Sequence, residues 1–165
     1  MREFELPEFT RSLRALAVPS APGSDHDRIF APLITARTTA HRVHGIDGQA
    51  AAFDAARLER EWRAALTNLV TARYPRSASD RRALEATLDQ LGAPLWMALA
   101  RLRESAARLK VAAPADRRVR WEEWVALVQR VFDAADDWWR LSRPVLAAAQ
   151  ERRPGALRRL FGRSG

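Results

Sequence analysis

The octet at residues 37–44, RTTAHRVH, holds the side chains of this sequence that are best suited to acid–base chemistry. An imidazole titrates near neutral pH, and a guanidinium group binds phosphate oxygens. At about 100° per residue, Arg37, His41 and His44 lie in the same sector of a helix as apolar Ile29 and Leu33. We therefore expect these polar groups to face the interior or an interface, where they need partners. The octet is the candidate catalytic site.

Six residues separate Arg37 from His44, and this spacing resembles the motif of the HEPN ribonucleases. The resemblance implies metal-independent RNA cleavage at a dimer interface, with histidine in acid–base work and arginine on the phosphate. Only the octet resembles the family, and Thr38 stands where that family often has Asn, Asp or His. Cations in the last turn of a helix are also favoured by the helix dipole, so a purely structural interpretation stays open.

Other catalytic or metal-binding patterns are missing from the sequence. Without cysteine it has no disulfide, thiolate nucleophile, iron–sulfur cluster or cysteine-ligated zinc. His41, His44 and Asp47 are the candidate metal ligands, but Asp47 lies past Gly45 and no Glu-x-x-His pair supports a di-metal site. Glycine-rich phosphate loops and GxSxG elbows are also missing. We therefore expect no metal and no cofactor, and we favour a protein without catalytic activity.

Basic residues dominate, with a formal net charge of +8, and the surplus lies in residues 93–112 and 151–165. Trp96 shares a helical stripe with Arg103 and Lys110, at seven-residue spacing. A ring flanked by cations suits a nucleic-acid strand or an acidic peptide. Alternatively, the ring packs under the N-terminal helix and the cations form a solvated face. We name as the basic ridge Trp96, Arg101, Arg103, Arg108, Lys110, Arg117, Arg118 and Arg120.

The C-terminal segment, residues 151–165, is a second basic region and predicts a short amphipathic helix. One side carries apolar residues such as Leu157 and Leu160. It could dock in a partner's groove, touch anionic lipid or lie on phosphates, and because so short an apolar face is a weak membrane anchor, we favour a partner or phosphate. A frayed terminus is the structural alternative. Its cations are Arg152, Arg153, Arg158, Arg159 and Arg163.

Hydrophobic periodicity predicts an all-α protein, and four long helices with short connections favour an antiparallel four-helix bundle. The third long helix is expected to break or kink at residues 92–94, and a bend is expected at Pro144. Residues 1–150 are predicted to form one domain, with a short helix and linker in 1–23, and residues 151–165 the tail. The long helices are expected at about residues 24–45, 49–74, 79–111 and 116–150, the third one capped by Ser79 or Asp80.

The stretch at residues 121–141 holds four of the six tryptophans, and its rings could form either a stacking surface or a core. On a helix, its aromatic and aliphatic side chains fall within an arc of about 160°. The remaining face is rich in carboxylates, which repel phosphate. We therefore expect these rings to lie mostly in the core.

Charge and motifs together favour a non-catalytic helical subunit that binds nucleic-acid backbone through the basic ridge and the tail, within a larger nucleoprotein complex. A protein–protein adaptor that binds an acidic partner is the alternative, and the HEPN-like ribonuclease is the third hypothesis. The longest uncharged apolar run, residues 91–100, is too short to span a bilayer, and the N-terminus lacks an apolar leader. We therefore expect a soluble, unprocessed, cytoplasmic protein that forms an oligomer or part of an assembly.

Overall fold

The structure, a computed structural model, describes residues 25–43, 45–73 and 77–151. Within these ranges the regular secondary structure is entirely helical, which confirms the predicted all-α class. The predicted N-terminal helix and linker, and the tail beyond Glu151, lie outside the described residues. The helices are α1 (Asp25–Arg42), α2 (Ile46–Ala52), α3 (Ala55–Arg73), α4 (Ala78–Leu91), α5 (Ala93–Val111) and α6 (Arg117–Glu151).

The second predicted helix, residues 49–74, is in fact two helices, and that prediction was wrong. Phe53 leaves the helical conformation, with φ of −104° and ψ of 44°, and its ring is buried. Asp54 then starts α3, since its Oδ1 accepts a hydrogen bond of 3.0 Å from the backbone N–H of Arg57. At the start of α2, Gly45 has a φ of 87°, which a residue with a side chain rarely adopts.

The third predicted helix is interrupted at Gly92, so that α4 ends at Leu91 and α5 begins at Ala93. Proline near the start of α5 fits the first turn, where its missing N–H needs no partner. The cap of α4 was misplaced, because Ser77 accepts the hydrogen bond from the N–H of Asp80, at 3.2 Å. By contrast, α6 continues through Pro144, and a bend at that residue stays a prediction.

Helices α5 and α6 make the most extensive packing contact and are joined by a short connection at residues 112–116. Beneath them, α3 contacts α5 and α4 contacts α6, while α1 packs on α2 and α3. Buried residues from all six helices form one hydrophobic cluster. The outer face of α5 is therefore presented by a helix whose inner face is held on three others.

The tryptophans of α6 lie in this cluster, as predicted. Trp121, Trp124 and Trp138 are at most 5% exposed, and Trp139 is partly buried against the same core. Trp138 also donates a hydrogen bond of 2.9 Å from Nε1 to the carbonyl of Leu88 on α4. These rings hold the helices together and are not available for stacking on a ligand.

Candidate nucleic-acid interface

The sequence of α5 divides the helix into an inner and an outer face. Its leucines recur at intervals of four, three and seven residues and are buried against the core. A basic last turn, with Arg108 and Lys110, suits the negative end of the helix dipole. The pattern thus fixes which side chains of α5 reach solvent. The buried positions are Leu95, Leu99, Leu102, Ser105 and Leu109.

The four cations of α5 lie along the two edges of its outer face. Helical geometry places Arg103 and Lys110 on one edge and Arg101 and Arg108 on the other, about 160° apart around the axis. All four side chains are exposed. Among the described residues, no carboxylate forms an ion pair with any of them. Both edges therefore present full positive charges to solvent.

Small side chains and one carboxylate occupy the surface between these edges. Ala100 and Ala107 lie near the middle of the outer face, together with the exposed Glu104. Larger apolar side chains stand only near the ends, where Met97 is 58% and Val111 82% exposed. The outer face of α5 is consequently a shallow strip with positive borders.

Arg117, which opens α6, is engaged with another helix. Its Nη2 forms an ion pair with Oδ1 of Asp47 on α2. Its Nε is buried and lacks a hydrogen-bond partner in the described part of the chain. Arg117 therefore fastens the start of α6 to α2 and has little charge left for a ligand.

The next two arginines of α6 are paired within their own helix. Nε of Arg118 lies 3.0 Å from Oε1 of Glu122, and Nη1 of Arg120 lies 2.9 Å from Oε2 of Glu123. These are the four- and three-residue spacings at which opposite charges meet on a helix surface. The basic ridge is thus split into an unpaired half on α5 and a paired half on α6.

Trp96, the aromatic member of the basic ridge, is partly buried and held by neighbours. Its Nε1 donates a hydrogen bond of 3.2 Å to the carbonyl of Asp89, and the guanidinium carbon of Arg63 lies 4.0 Å from the ring centre. The indole also lies so close to Gly92 that a Cβ there would be 2.9 Å from Nε1. Arg63 therefore already covers one face of the ring.

Arg63 was not expected from the sequence, although it organises this region. It reaches from α3 to a carboxylate oxygen of Asp89 on α4, and its Nε lies 3.1 Å from Oε1 of Glu59. Together with the stacked indole, these contacts join α3, α4 and α5 around the break at Gly92. Only the pairing with Glu59, at four-residue spacing, could have been found in the sequence.

The RTTAHRVH octet is described only in part. Arg37 lies partly buried on α1, and Thr38 donates a hydrogen bond of 2.9 Å to the carbonyl of Ile34. The backbone of His41 belongs to α1, but its side chain and the whole of His44 lie outside the described residues. The proposed pairing of Arg37 with His44 therefore stays a prediction, as do the roles of the tail arginines.

Comparison with known proteins gives no match of any kind: no family model, no curated protein and no solved structure matches this chain. In the described ranges, no group of three or more histidines and carboxylates could hold a metal ion. None of the described helices has the length and apolar character needed to cross a bilayer.

Proposed function

We propose that this protein is a non-catalytic helical subunit that binds the backbone of a nucleic acid through the four cations of α5 and the basic tail. It acts within a larger nucleoprotein complex in the cytoplasm. Coulomb attraction and the release of counterions from the nucleic acid supply the affinity, with little recognition of bases. The partly buried Trp96 supports α5 from below and does not stack on the ligand.

The observation that carries this proposal is the charge of α5. Its 19 residues hold four basic side chains and one acidic side chain, Glu104, whereas α6 holds six of each. Carboxylates placed elsewhere in the fold do not neutralise the α5 cations within the described ranges. Desolvating an existing ion pair would oppose binding, so unpaired cations are the ones that phosphate can reach at low cost.

The architecture that we propose for the whole chain is an antiparallel four-helix bundle, with bends near Pro94 and Pro144. Packing of α5 on α3, α4 and α6 supports this arrangement and makes α5 a stiff support for its side chains. The backbone of a packed helix is already ordered, so ligand binding costs little further backbone entropy. A row of cations on a fixed helix backbone is thus well suited to an extended polyanion.

Salt dependence tests this function directly. We expect the affinity of the full chain for a labelled nucleic acid to fall steeply as salt rises from 50 to 200 mM, by roughly 10²-fold or more if several phosphates are contacted. Charge reversal by Arg103→Glu, Arg108→Glu and Lys110→Glu together should abolish binding. Fluorescence anisotropy measures both effects. Binding that survives high salt, or that is absent at 50 mM salt, would contradict the proposal.

A matched control separates local contact from overall charge. Arg28→Glu, Arg60→Glu and Arg82→Glu also change the net charge by the same amount, but they alter exposed arginines of α1, α3 and α4. We expect this control to retain most of the affinity. Equal loss in both triple variants would mean that total charge matters and that α5 is no binding surface.

An acidic protein partner could use the same unpaired cations, and a pull-down from native lysate distinguishes it. The proposed function predicts that nuclease treatment removes the bound material. A single protein that stays bound after nuclease treatment, together with no retention on heparin, would instead support the adaptor hypothesis. The wild-type chain and the α5 triple variant are compared in parallel.

A further inference from the structure

We propose that the nucleic acid is double-stranded DNA and that α5 lies in its major groove. Arg101 and Arg108 then contact the phosphates of one strand, and Arg103 and Lys110 contact those of the other. This inference rests on the proposed function and adds the form of the ligand and the position of the helix. It depends on the arrangement of the charges on α5 as well as on their number.

The two charged edges of α5 match the two walls of a groove. An α-helix with its side chains is about 10–12 Å across, and the major groove of B-form DNA is about 12 Å wide. Cations about 160° apart around the axis point to opposite walls. The two members of each edge are seven residues apart, which is about 10.5 Å along the helix. A single phosphate chain would meet only one edge at a time.

The centre of the strip is consistent with entry into a groove. Ala100 and Ala107 add little bulk, so the helix can approach the groove floor. The carboxylate of Glu104 would repel a phosphate chain laid across the middle of α5. In a groove it lies between both phosphate rows and faces the base edges, where the amino group of cytosine can donate to it.

Single strands are disfavoured because no aromatic ring among the described residues is fully exposed for bases to stack on. Proteins that bind single strands combine positive grooves with exposed aromatic side chains. Among the described residues, the large hydrophobic side chains that are exposed are aliphatic. Trp96, the aromatic residue of α5, is covered on one face by Arg63 and donates a hydrogen bond to the carbonyl of Asp89.

Double-stranded RNA and acidic protein fit the strip less well. The major groove of A-form RNA is too deep and narrow for side chains to read, let alone for a helix to enter. Protein interfaces gain most of their affinity from large side chains buried near the centre. The centre of α5 has only alanines and Glu104. B-form DNA is the polyanion that fits both the charged edges of the α5 strip and the small side chains at its centre.

Three probes of equal length test the ligand class: a DNA duplex, an RNA duplex and a single DNA strand, each of about 20 nucleotides per strand. At 100 mM salt, we expect the full chain to bind the DNA duplex at least about tenfold more tightly than either other probe. Equal or tighter binding of the single strand or the RNA would contradict binding in the major groove, but it would not contradict the proposed function. No binding to any probe would overturn both.

Two sets of variants test the position of α5. Ala107→Trp places bulk on the groove floor and should weaken DNA duplex binding at least about tenfold, because the helix can no longer approach. Ala148→Trp, at an exposed position of α6, is the matched control and should have no effect. Unchanged binding by Ala107→Trp would overturn the groove, provided that circular dichroism shows an intact helical fold.

Neutralising one edge at a time separates groove binding from binding along one side. Arg101→Gln with Arg108→Gln, and Arg103→Gln with Lys110→Gln, should weaken binding to the DNA duplex by similar factors, since each pair serves one wall. A large loss from one pair and no loss from the other would overturn the proposal, because a single edge would then carry the ligand.

Discussion

Helices α5 and α6 follow each other in the chain and pack together, yet their cations differ in whether they form ion pairs. Four cations on α5 face solvent without carboxylate partners in the described structure, while Arg117, Arg118 and Arg120 at the start of α6 each form an ion pair. Both sets belong to the same basic ridge in the sequence. Net charge alone therefore does not define a binding surface. The ion pairs that form in the folded protein decide which cations a ligand can use.

The ion pairs that distinguish α6 from α5 affect ligand binding more than they affect the stability of the fold. Exposed ion pairs such as those of Arg118 and Arg120 contribute about 0–1 kcal/mol each, because water screens them and both side chains lose freedom. Nevertheless, a phosphate must compete with the carboxylate for the same guanidinium group. The ion pairs of α6 therefore change stability little, but they leave only the cations of α5 for the proposed interface.

The largest effect is expected when four cations of α5 are neutralised and the result is compared with the neutralisation of four arginines of α6. If each α5 cation meets one phosphate, removing all four should lower the slope of log K against log salt by about 3 to 4. The control removes four exposed arginines of α6, with an expected change below about 1, because these are not contact residues. Anisotropy titrations on a DNA duplex measure both slopes. The compared sets are Arg101, Arg103, Arg108 and Lys110 against Arg118, Arg120, Arg130 and Arg140, each changed to Gln.

Equal slopes for the two neutralised sets would remove the distinction between the helices. The affinities at low salt provide an independent check, since equal total charge gives equal long-range attraction in the two variants. Thermal unfolding of both variants shows whether the fold is intact. A lower slope only for the α6 set would place the interface on the paired half.

Trp96 sharpens the comparison because it shares an edge with Arg103 and Lys110 but is engaged inside the fold. In Gly92→Ala, the new Cβ would lie 2.9–3.1 Å from three atoms of the indole. The backbone of Gly92 has φ of −81° and ψ of −3°, a conformation that alanine also adopts without strain. We expect a net destabilisation of about 1–2 kcal/mol from the crowding, measured by urea unfolding.

A double-mutant cycle isolates that contact. In a Trp96→Leu background, Gly92→Ala should be neutral or stabilising, because the flat ring is gone. The salt slope of DNA binding should stay unchanged in Trp96→Leu. The same destabilisation by Gly92→Ala in both backgrounds would show that the indole is not the cause, and a reduced salt slope in Trp96→Leu would give the ring a part in binding.

The sequence predicted the all-α class and the burial of the α6 tryptophans because both depend on local periodicity. It failed at Phe53, where an apolar residue in a helical pattern leaves the helix to fill the core. Asp54 could have signalled the start of α3, since aspartate is a favoured cap. Tertiary packing of the Phe53 ring was not visible in the pattern.

Prediction of the basic ridge was limited in a similar way. The pairs of Arg118 and Arg120 follow spacings that are present in the sequence. Glu104 stands at the same spacings from Arg101 and Arg108 and pairs with neither in the described structure, so spacing alone does not identify the neutralised cations. The contact of Arg117 with Asp47 joins residues 70 positions apart, and Arg63 reaches Trp96 from another helix. Such contacts depend on how helices pack, which local spacing does not determine.

Arg117 offers a smaller test, in which stability distinguishes the two halves. Arg117→Gln breaks the contact between α6 and α2 and should cost about 0.5–1 kcal/mol, the upper range for a partly exposed pair. Arg103→Gln removes an exposed cation without a carboxylate partner and should change stability by less than about 0.5 kcal/mol. Urea unfolding of both variants measures the difference. Identical stabilities would mean that the Asp47 contact does not hold the two helices together.

The smallest effect is expected when one arginine of α6 is released from its ion pair, so that it resembles the unpaired cations of α5. Glu123→Gln removes the partner of Arg120 and should release one cation for phosphate, which raises the salt slope by up to about 1. Asp136→Asn adds the same charge at an exposed position of α6, and it releases no such arginine. A gain of about threefold in DNA affinity for Glu123→Gln over Asp136→Asn is the expected result. Equal affinities would mean that Arg120 lies too far from the nucleic acid to contact it, so that its position, and not the ion pair, excludes it from the interface.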